Sequence, residues 1–235
     1  MHRVQKILSN RGYCSRRRAE TLISEGRVHV NGTLVSLGDK AREDDDITVD
    51  DQPIVQEVKR YLKFNKPAGY VTALSDRHEK TIMDLIDIPE RVYPIGRLDK
   101  DTQGLLLLTN DGDFANAIMH PRYEIEKTYL VELTRSLEDD DAQRIEAGII
   151  LDDGKSAPAR IAHFTPTKIQ ITIHEGRNRI VRRIFETLNY PIRTLTRIRI
   201  GTIGLGDLKS GEYQDLTAEE KRTVCGNRDS NPGRH

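Results

Sequence analysis

The run GLLLLT, residues 104–109, constrains the fold of this chain most strongly. Four successive leucines stopped by Asn110-Asp111-Gly112 read as a buried strand ending in a turn. Just ahead of it, GRLDKDTQ places Arg97, Asp99 and Asp101 at the mouth of that strand. Opposite charges at such an edge mark either a surface turn or a working site. The rest of the chain decides between the two.

Residues 2–9 read as a short helix with Val4, Ile7 and Leu8 on one face, ended by Arg11-Gly12. Ser15 suits the cap of a second helix, RRRAETLISEG, whose buried stripe is Ala19, Leu22 and Ile23 and whose stop is Gly26. VHV-NG-TLV then gives a hairpin, because both central residues of its turn need positive φ. ITVDDQPI adds another strand and turn. These 50–60 residues lie near the lower limit of what folds alone.

Beyond EVKR (57–60), which reads as a linker, strands are expected at YLKFNK, GYVTAL, GLLLLT, TYLVEL, RIAHF and KIQITIHEG. Helices are expected at DFANAIMH, LEDDDAQRIEAG and RIVRRIFETLN, with Asp113 as a cap for the first. Strands come in runs, not in strict alternation with helices, so the expected class is α+β with a mixed, largely antiparallel sheet flanked by helices. The closing GNRDSNPGRH is polar and is expected to be a disordered tail. The expected division is 1–56, linker 57–60, 61–225 and tail 226–235.

Charge is segregated although its sum is zero. Residues 1–40 hold eight Lys/Arg against three Asp/Glu, and residues 176–199 hold seven Arg against Glu186 alone. Basic faces on a neutral chain are the footprint of a polyanion binder. The acidic runs at 43–51 and 138–146 read as solvated faces. No apolar run reaches the length of a membrane span, and MHRVQKILSNRGYC lacks the apolar centre of a signal peptide. A cytoplasmic protein is expected. Cys14 and Cys225 form no CxxC pair, which argues against zinc and a disulfide.

The phrase SRRRAETLISEGRVHVNG resembles the S4-type RNA-binding domain. The resemblance makes Arg3, Lys6, Arg16, Arg17 and Arg27 candidate phosphate contacts. Four further motifs in order, YLKFNKPAGYVT, YPIGRLDKDTQGLLLLTNDGDFANAIMHP, EKTYLVEL and IHEGRNRIVRRIFETL, resemble the pseudouridine synthases of the RsuA/RluB type. That likeness covers nearly the whole chain and implies the pseudouridine synthase fold behind a small S4-like α/β domain.

The resemblance also implies the chemistry. Such an enzyme breaks the C1′–N1 bond of a uridine, turns the base and rejoins it through C5, with one aspartate and no metal or organic cofactor. That aspartate is here Asp99, which either adds to the sugar at C1′ or abstracts a proton to form a glycal. Arg182 matches the basic partner. At about 4 Å such a pair is worth roughly 4 kcal/mol at an effective dielectric of 20. Tyr129 matches the tyrosine that packs on the target base, and stacking tolerates a turning base. Arg97 is expected to hold RNA around the flipped nucleotide, with Arg177 and Arg179 as further RNA contacts. Ile180 departs from the pattern, which commonly has glutamine there, and so puts one polar contact in doubt.

The expected partner is ribosomal RNA or a ribosomal subunit precursor, met by a monomer, with large-subunit rRNA favoured and small-subunit rRNA the near alternative. A non-catalytic RNA-binding assembly factor on the same fold would have no need of Asp99, Tyr129 and Arg182. A hydrolase using Asp99 with Asp101 would release a product. His120 and His174 have no serine or cysteine partner in a recognisable context and are read as structural.

Overall fold

The N-terminal helices form where their caps stand. Strand β1 (His2–Arg3) leads into α1 (Val4–Asn10), and Ser15 Oγ accepts the Arg18 N–H at 3.2 Å to open α2 (Arg16–Ser24). Strands β2 (Val28–Val30) and β3 (Thr33–Leu34) flank Asn31 and Gly32, whose φ values of 50° and 77° are those the hairpin turn requires. Then come β4 (Lys40–Ala41), β5 (Ile47–Val49) and β6 (Gln52–Pro53). The strand order is β3-β2-β5-β6, with β1 paired to β4. Val4, Ile7, Leu8, Ala19, Leu22 and Ile23 form one apolar core with Val28, Ile47 and Val49.

This is a computed structural model, and it describes residues 1–226. The expected tail, apart from Gly226 at the end of the last helix, lies outside the described residues. The chain divides into two compact units: Met1–Arg60 with Ile88–Tyr93 and Thr109–Asp113, and the remainder from Tyr61 onward. Residues 57–60 have no regular structure, yet their backbone is held. Glu57 N–H donates to Arg11 O, and the buried Asn110 side chain bonds Val58 O and Arg60 N–H.

The acidic run at 43–51 does more than face solvent. Arg11 donates to the carbonyls of Glu43 and Asp45, and the Asp45 carboxylate accepts from Arg42 N–H and Asn31. Those hydrogen bonds, the Arg42 backbone first, hold the Asp45 carboxyl below its ordinary range.

The second unit contains β7 (Tyr61–Lys66), β9 (Gln103–Thr109), β10 (Lys127–Leu133), α4 (Asp139–Ala147), β11 (Ile150–Leu151), β12 (Gly154–Lys155), β13 (Arg160–Thr165) and β14 (Lys168–Ile173). It continues through α5 (Ile180–Thr187), β15 (Ile192–Ile200), β16 (Ile203–Gly204), β17 (Tyr213–Asp215) and α6 (Ala218–Gly226). Strand β8 (Tyr93–Ile95) and helix α3 (Gly112–Met119) begin in the first unit and end in the second. The sheet runs β13-β14-β10-β15-β9-β7-β17, with β8 on β9 and β16 on β15. It is mixed and largely antiparallel; β9 and β15 pair in parallel. Leu105 to Leu108 are all fully buried, as a strand covered on both faces requires.

Three expectations need correction. GYVTAL is not a strand. Gly69, at φ 90°, turns the chain and donates to Lys100 O, while Thr72 Oγ1 bonds the N–H and C=O of Leu98. The segment therefore braces the loop ahead of β9, and its one bridge joins Val71 to Thr81. Helix α3 is capped by Asp111 instead of Asp113, since the Asp111 carboxylate accepts the Asp113 N–H at 3.0 Å. The nine-residue β15 and helix α6 were not expected at all.

Gly104 sets how closely β9 approaches β15. Its φ is 104°, and a Cβ there would lie 2.3 Å from Arg197 O and 2.8 Å from Arg197 N. Gly104→Ala combines a positive-φ penalty with backbone overlap, each costing about 1–3 kcal/mol. Its melting temperature should fall by roughly 5–10 °C; an unchanged melting curve would show that the strands part without cost.

Candidate active site

The site begins with a lysine, not with an acid. Along β7 the buried face carries Leu62, Phe64 and Lys66, in the alternation of a strand. Lys66 is completely inaccessible to solvent. Its ammonium donates to the carbonyls of Pro67 (3.1 Å), Asp99 (3.1 Å), Lys100 (3.2 Å) and Thr102 (2.9 Å). Burial pushes its pKa down to about 8, while Asp101 and Asp99 oppose the shift and Arg197 adds to it. The loop Leu98–Thr102 is thus gripped from below by one cation, and Thr72 holds Leu98 from the side. A turn bond from Thr102 N–H to Asp99 O (3.1 Å) completes it.

The loop forms one wall of a cavity of about 340 Å³ in the second unit, within the range of small-molecule sites. Asp99 lines it, half-buried, and its carboxylate has no hydrogen bond or ion pair among the described residues. Six cationic side chains line the same space (Arg97, Lys127, Arg177, Arg179, Arg182 and Arg197) against two acids, Asp99 and Glu175.

The opposite wall is built by β10 and β15. Tyr129, 8% exposed, pairs with Arg197, but its neighbour Thr128 pairs with Arg199. The skipped residue, Ile198, is a β-bulge, and bulges re-aim side chains. The burial pattern of β15 follows it: Leu195, Arg197 and Ile200 are buried and line the cavity, while Arg199 is exposed. Tyr129 and Lys127 line the cavity beside them. Burial pushes the Lys127 pKa down, with Arg197 adding to it.

The expected Asp99–Arg182 pair is not formed. Arg182 Nη2 instead contacts Asp101 O and Thr102 Oγ1, both at 3.3 Å, and lies 3.9 Å from the Asp101 carboxylate. Its position explains this: Arg182 stands in the first turn of α5, over the far end of the loop. Its Nε is buried without a partner. Ile180, where a glutamine was the commoner expectation, is buried in the cavity wall.

A network of ions sets the start of α5. Arg177 pairs with Glu175 and Asp153 at 2.7 Å each and donates to the carbonyls of Gly154 and Lys155. Arg183 pairs with Asp152 and Asp153. Arg183 first and Arg177 second hold the Asp153 carboxyl below its ordinary range. Arg177, expected to contact RNA, is thus engaged by the β11–β12 turn. Arg179 takes a left-handed conformation, φ 50°, at the helix cap, and pairs with Glu186 at 3.2 Å. Arg97 is exposed at the rim with no ion pair. His120 caps a short 3₁₀ turn by accepting the Arg122 N–H.

Of the arginines and lysine singled out in the first unit, Arg3, Arg16 and Arg17 are exposed and make no ion pair among the described residues. Lys6 pairs with Asp113 at 2.8 Å, and Arg27 pairs with Asp50 and Glu25. Surface pairs of this kind are weak and can exchange for phosphate.

Lys66, Thr72, Thr102, Lys127 and Arg197 belong to the site although none stood out in the sequence. For Lys66 a signal existed: it continues the Leu62–Phe64 alternation into the strand end, just before Pro67. Replacing it, as Lys66→Met, strips four carbonyls of their donor and should cost roughly 2–4 kcal/mol. Hydrogen exchange should then speed at least tenfold at the amides of Gly69 and Thr102; unchanged protection there would mean the loop holds itself.

Comparison with known proteins identifies the family. The pattern defining the RNA pseudouridylate synthases matches residues 60–187, and that of the S4 domain matches residues 2–47. Ribosomal large subunit pseudouridine synthase B of Bacillus subtilis is 44% identical over 95% of this chain and 96% of its own length. The dual-specificity RNA pseudouridine synthase RluF of Escherichia coli is 35% identical over 93% of this chain and 76% of its own. A crystal structure of a pseudouridylate synthase aligns with a TM-score of 0.72 at 32% identity, over 95% of this chain and all of that one. The chain belongs to the RNA pseudouridylate synthase family and carries an S4 domain ahead of its catalytic part.

Proposed function

We propose that this protein isomerises a specific uridine to pseudouridine in large-subunit ribosomal RNA, with Asp99 as the catalytic carboxylate. The observation that carries the reading is an unpaired, half-buried carboxylate in a strongly basic cavity, on a loop fixed from several sides. The large-subunit assignment rests on the relative from Bacillus subtilis, matched over nearly its whole length.

The flipped uridine enters with its base against the Tyr129 ring. Arg97, exposed at the rim, meets the RNA around the vacated stack. Asp99 then assists C1′–N1 cleavage, by addition at C1′ or by proton abstraction that gives a glycal. The electron pair of that bond leaves with the base. The base turns and C5 bonds to C1′, as the Asp99–C1′ bond breaks on the first path or as Asp99 returns the proton to C2′ on the second; the C5 proton is then lost and N1 gains one. Arg182 acts here through the loop: its contacts with Asp101 and Thr102 hold the segment on which Asp99 stands.

No described helix is long and apolar enough to cross a membrane, and the substrate sets the cytoplasm as the place of work. The S4 domain supplies affinity through phosphates, with Arg3, Arg16 and Arg17 the exposed cations ready for it.

Because the C5 hydrogen is lost, tritium release from 5-tritiated uridine in rRNA reads the reaction directly. Asp99→Asn should lower release by more than about a thousandfold while leaving rRNA affinity within a fewfold; turnover near wild type would refute the role of Asp99. Replacing both Arg16 and Arg17 by alanine should weaken rRNA binding and reduce the slope of log K against log salt by roughly 1.5. An unchanged slope would place the phosphate contacts elsewhere.

A further inference from the structure

Arg197 is the least explained charge in the second unit. It is 4% exposed and lines the cavity. Its Nε donates to Leu105 O at 2.8 Å, which fixes the plane of the guanidinium. Its Nη2 is buried and has no hydrogen-bond partner, and among the described residues no acid lies within ion-pair distance. A buried donor left unmet in a native protein calls for a reason, and a buried cation without a counterion more so. Two further cations feel it, Lys66 and Lys127, whose pKa values it helps to depress. The bond to Leu105 O accounts for Nε and leaves Nη2 unmet. An acceptor on a ligand in the cavity would meet that donor.

The strand register says which part of the ligand. Arg197 is the direct cross-strand partner of Tyr129. Side chains so paired stand about 4.5–5.5 Å apart at Cβ on one face of the sheet. The bulge at Ile198 brings both into the cavity wall together. A base stacked on the Tyr129 ring therefore presents its edge to Arg197, whereas the backbone phosphates stay with the exposed Arg97 at the rim.

We infer that Arg197 donates a hydrogen bond from its guanidinium to a carbonyl oxygen of the target uracil, and stabilises the base as an anion between loss of the C1′–N1 bond and formation of the C1′–C5 bond. The inference rests on the proposed isomerase reading and extends it. When C1′–N1 breaks, its electron pair passes to N1 and spreads onto the carbonyl oxygens. Formation of C1′–C5 takes the pair back as the C5 proton departs and N1 is protonated. The same anion arises whether Asp99 adds to C1′ or forms a glycal, so the role of Arg197 is independent of that choice. A fixed donor aimed at developing charge in a water-poor site is worth about 10²–10³ in rate.

The test uses the full-length protein and a synthetic RNA spanning the modified uridine. Wild-type turnover on this RNA establishes the isomerase reading by itself. Arg197→Gln should then lower the single-turnover rate by about a hundredfold or more, with RNA affinity within about threefold and with the rate partly restored in Arg197→Lys. A second comparison does not depend on how the variants fold. In the wild type, 2-thiouridine or 4-thiouridine at the target should slow the reaction, because sulfur accepts a hydrogen bond poorly. In Arg197→Gln or Arg197→Lys, that thio effect should shrink or vanish. An active wild type whose thio effect is the same size in both variants would overturn the inference, as would a variant that loses only RNA affinity.

Discussion

One buried ammonium sets the geometry on which the site depends. Removing a charged amine from water costs several kcal/mol, and Lys66 recovers this from four carbonyls and the nearby Asp99 and Asp101 charges. A pKa of about 8 leaves it charged at neutral pH, with all its protons in use. The consequence is a division of labour within one loop. The backbone of residues 99–102 is spent on Lys66 and Arg182, so it cannot drift. The Asp99 side chain is left unspent, and a carboxylate that nothing holds is available for chemistry.

The sheet carries the rest of the site in register. Gly104 lets β9 lie against β15 with no side chain between their backbones, and the bulge at Ile198 rotates β15 so that Leu195, Arg197 and Ile200 share the face of Tyr129. Tyr129 and the buried Arg197 therefore stand on adjacent strands of one layer, and Asp99 stands on the loop that leads into β9. Arg182 enters from a helix, and the ion network of Arg177, Arg183, Asp152 and Asp153 keeps the first turn of that helix in place. Surface ion pairs are usually worth little, but several charges sharing one pair of aspartates act as a unit.

The features legible in the sequence are those with local causes. Ser15 as a cap, Asn31-Gly32 as a turn, and the leucine run as a buried strand each follow from a few neighbouring residues. The features that escaped have causes far along the chain. GYVTAL has the apolar content of a strand, yet Thr72 bonds Leu98, and Gly69 bonds Lys100. Strand β15 hides its alternation because a bulge breaks the period of two, and its arginines read more readily as an RNA-binding run. Asp99, Tyr129, Arg97 and Arg182 were drawn from motif order, and all four line one cavity. The expected Asp99–Arg182 contact is not formed: motif order gives no side-chain distance, and the first turn of α5 aims Arg182 at Asp101.

The two units divide the energetics of recognition. On the proposed reading, exposed arginines of the S4 domain meet phosphates, a term that salt screens and that carries no sequence information. On the same reading, the cavity admits one base and carries the chemistry. The central claim is that one uridine of large-subunit rRNA becomes pseudouridine through this protein. Carbodiimide labelling followed by reverse transcription, on rRNA from cells with and without the gene, tests it most directly. The account predicts one reverse-transcription stop in large-subunit rRNA that is lost without the gene and restored by its return. An unchanged set of stops in large-subunit rRNA would contradict it.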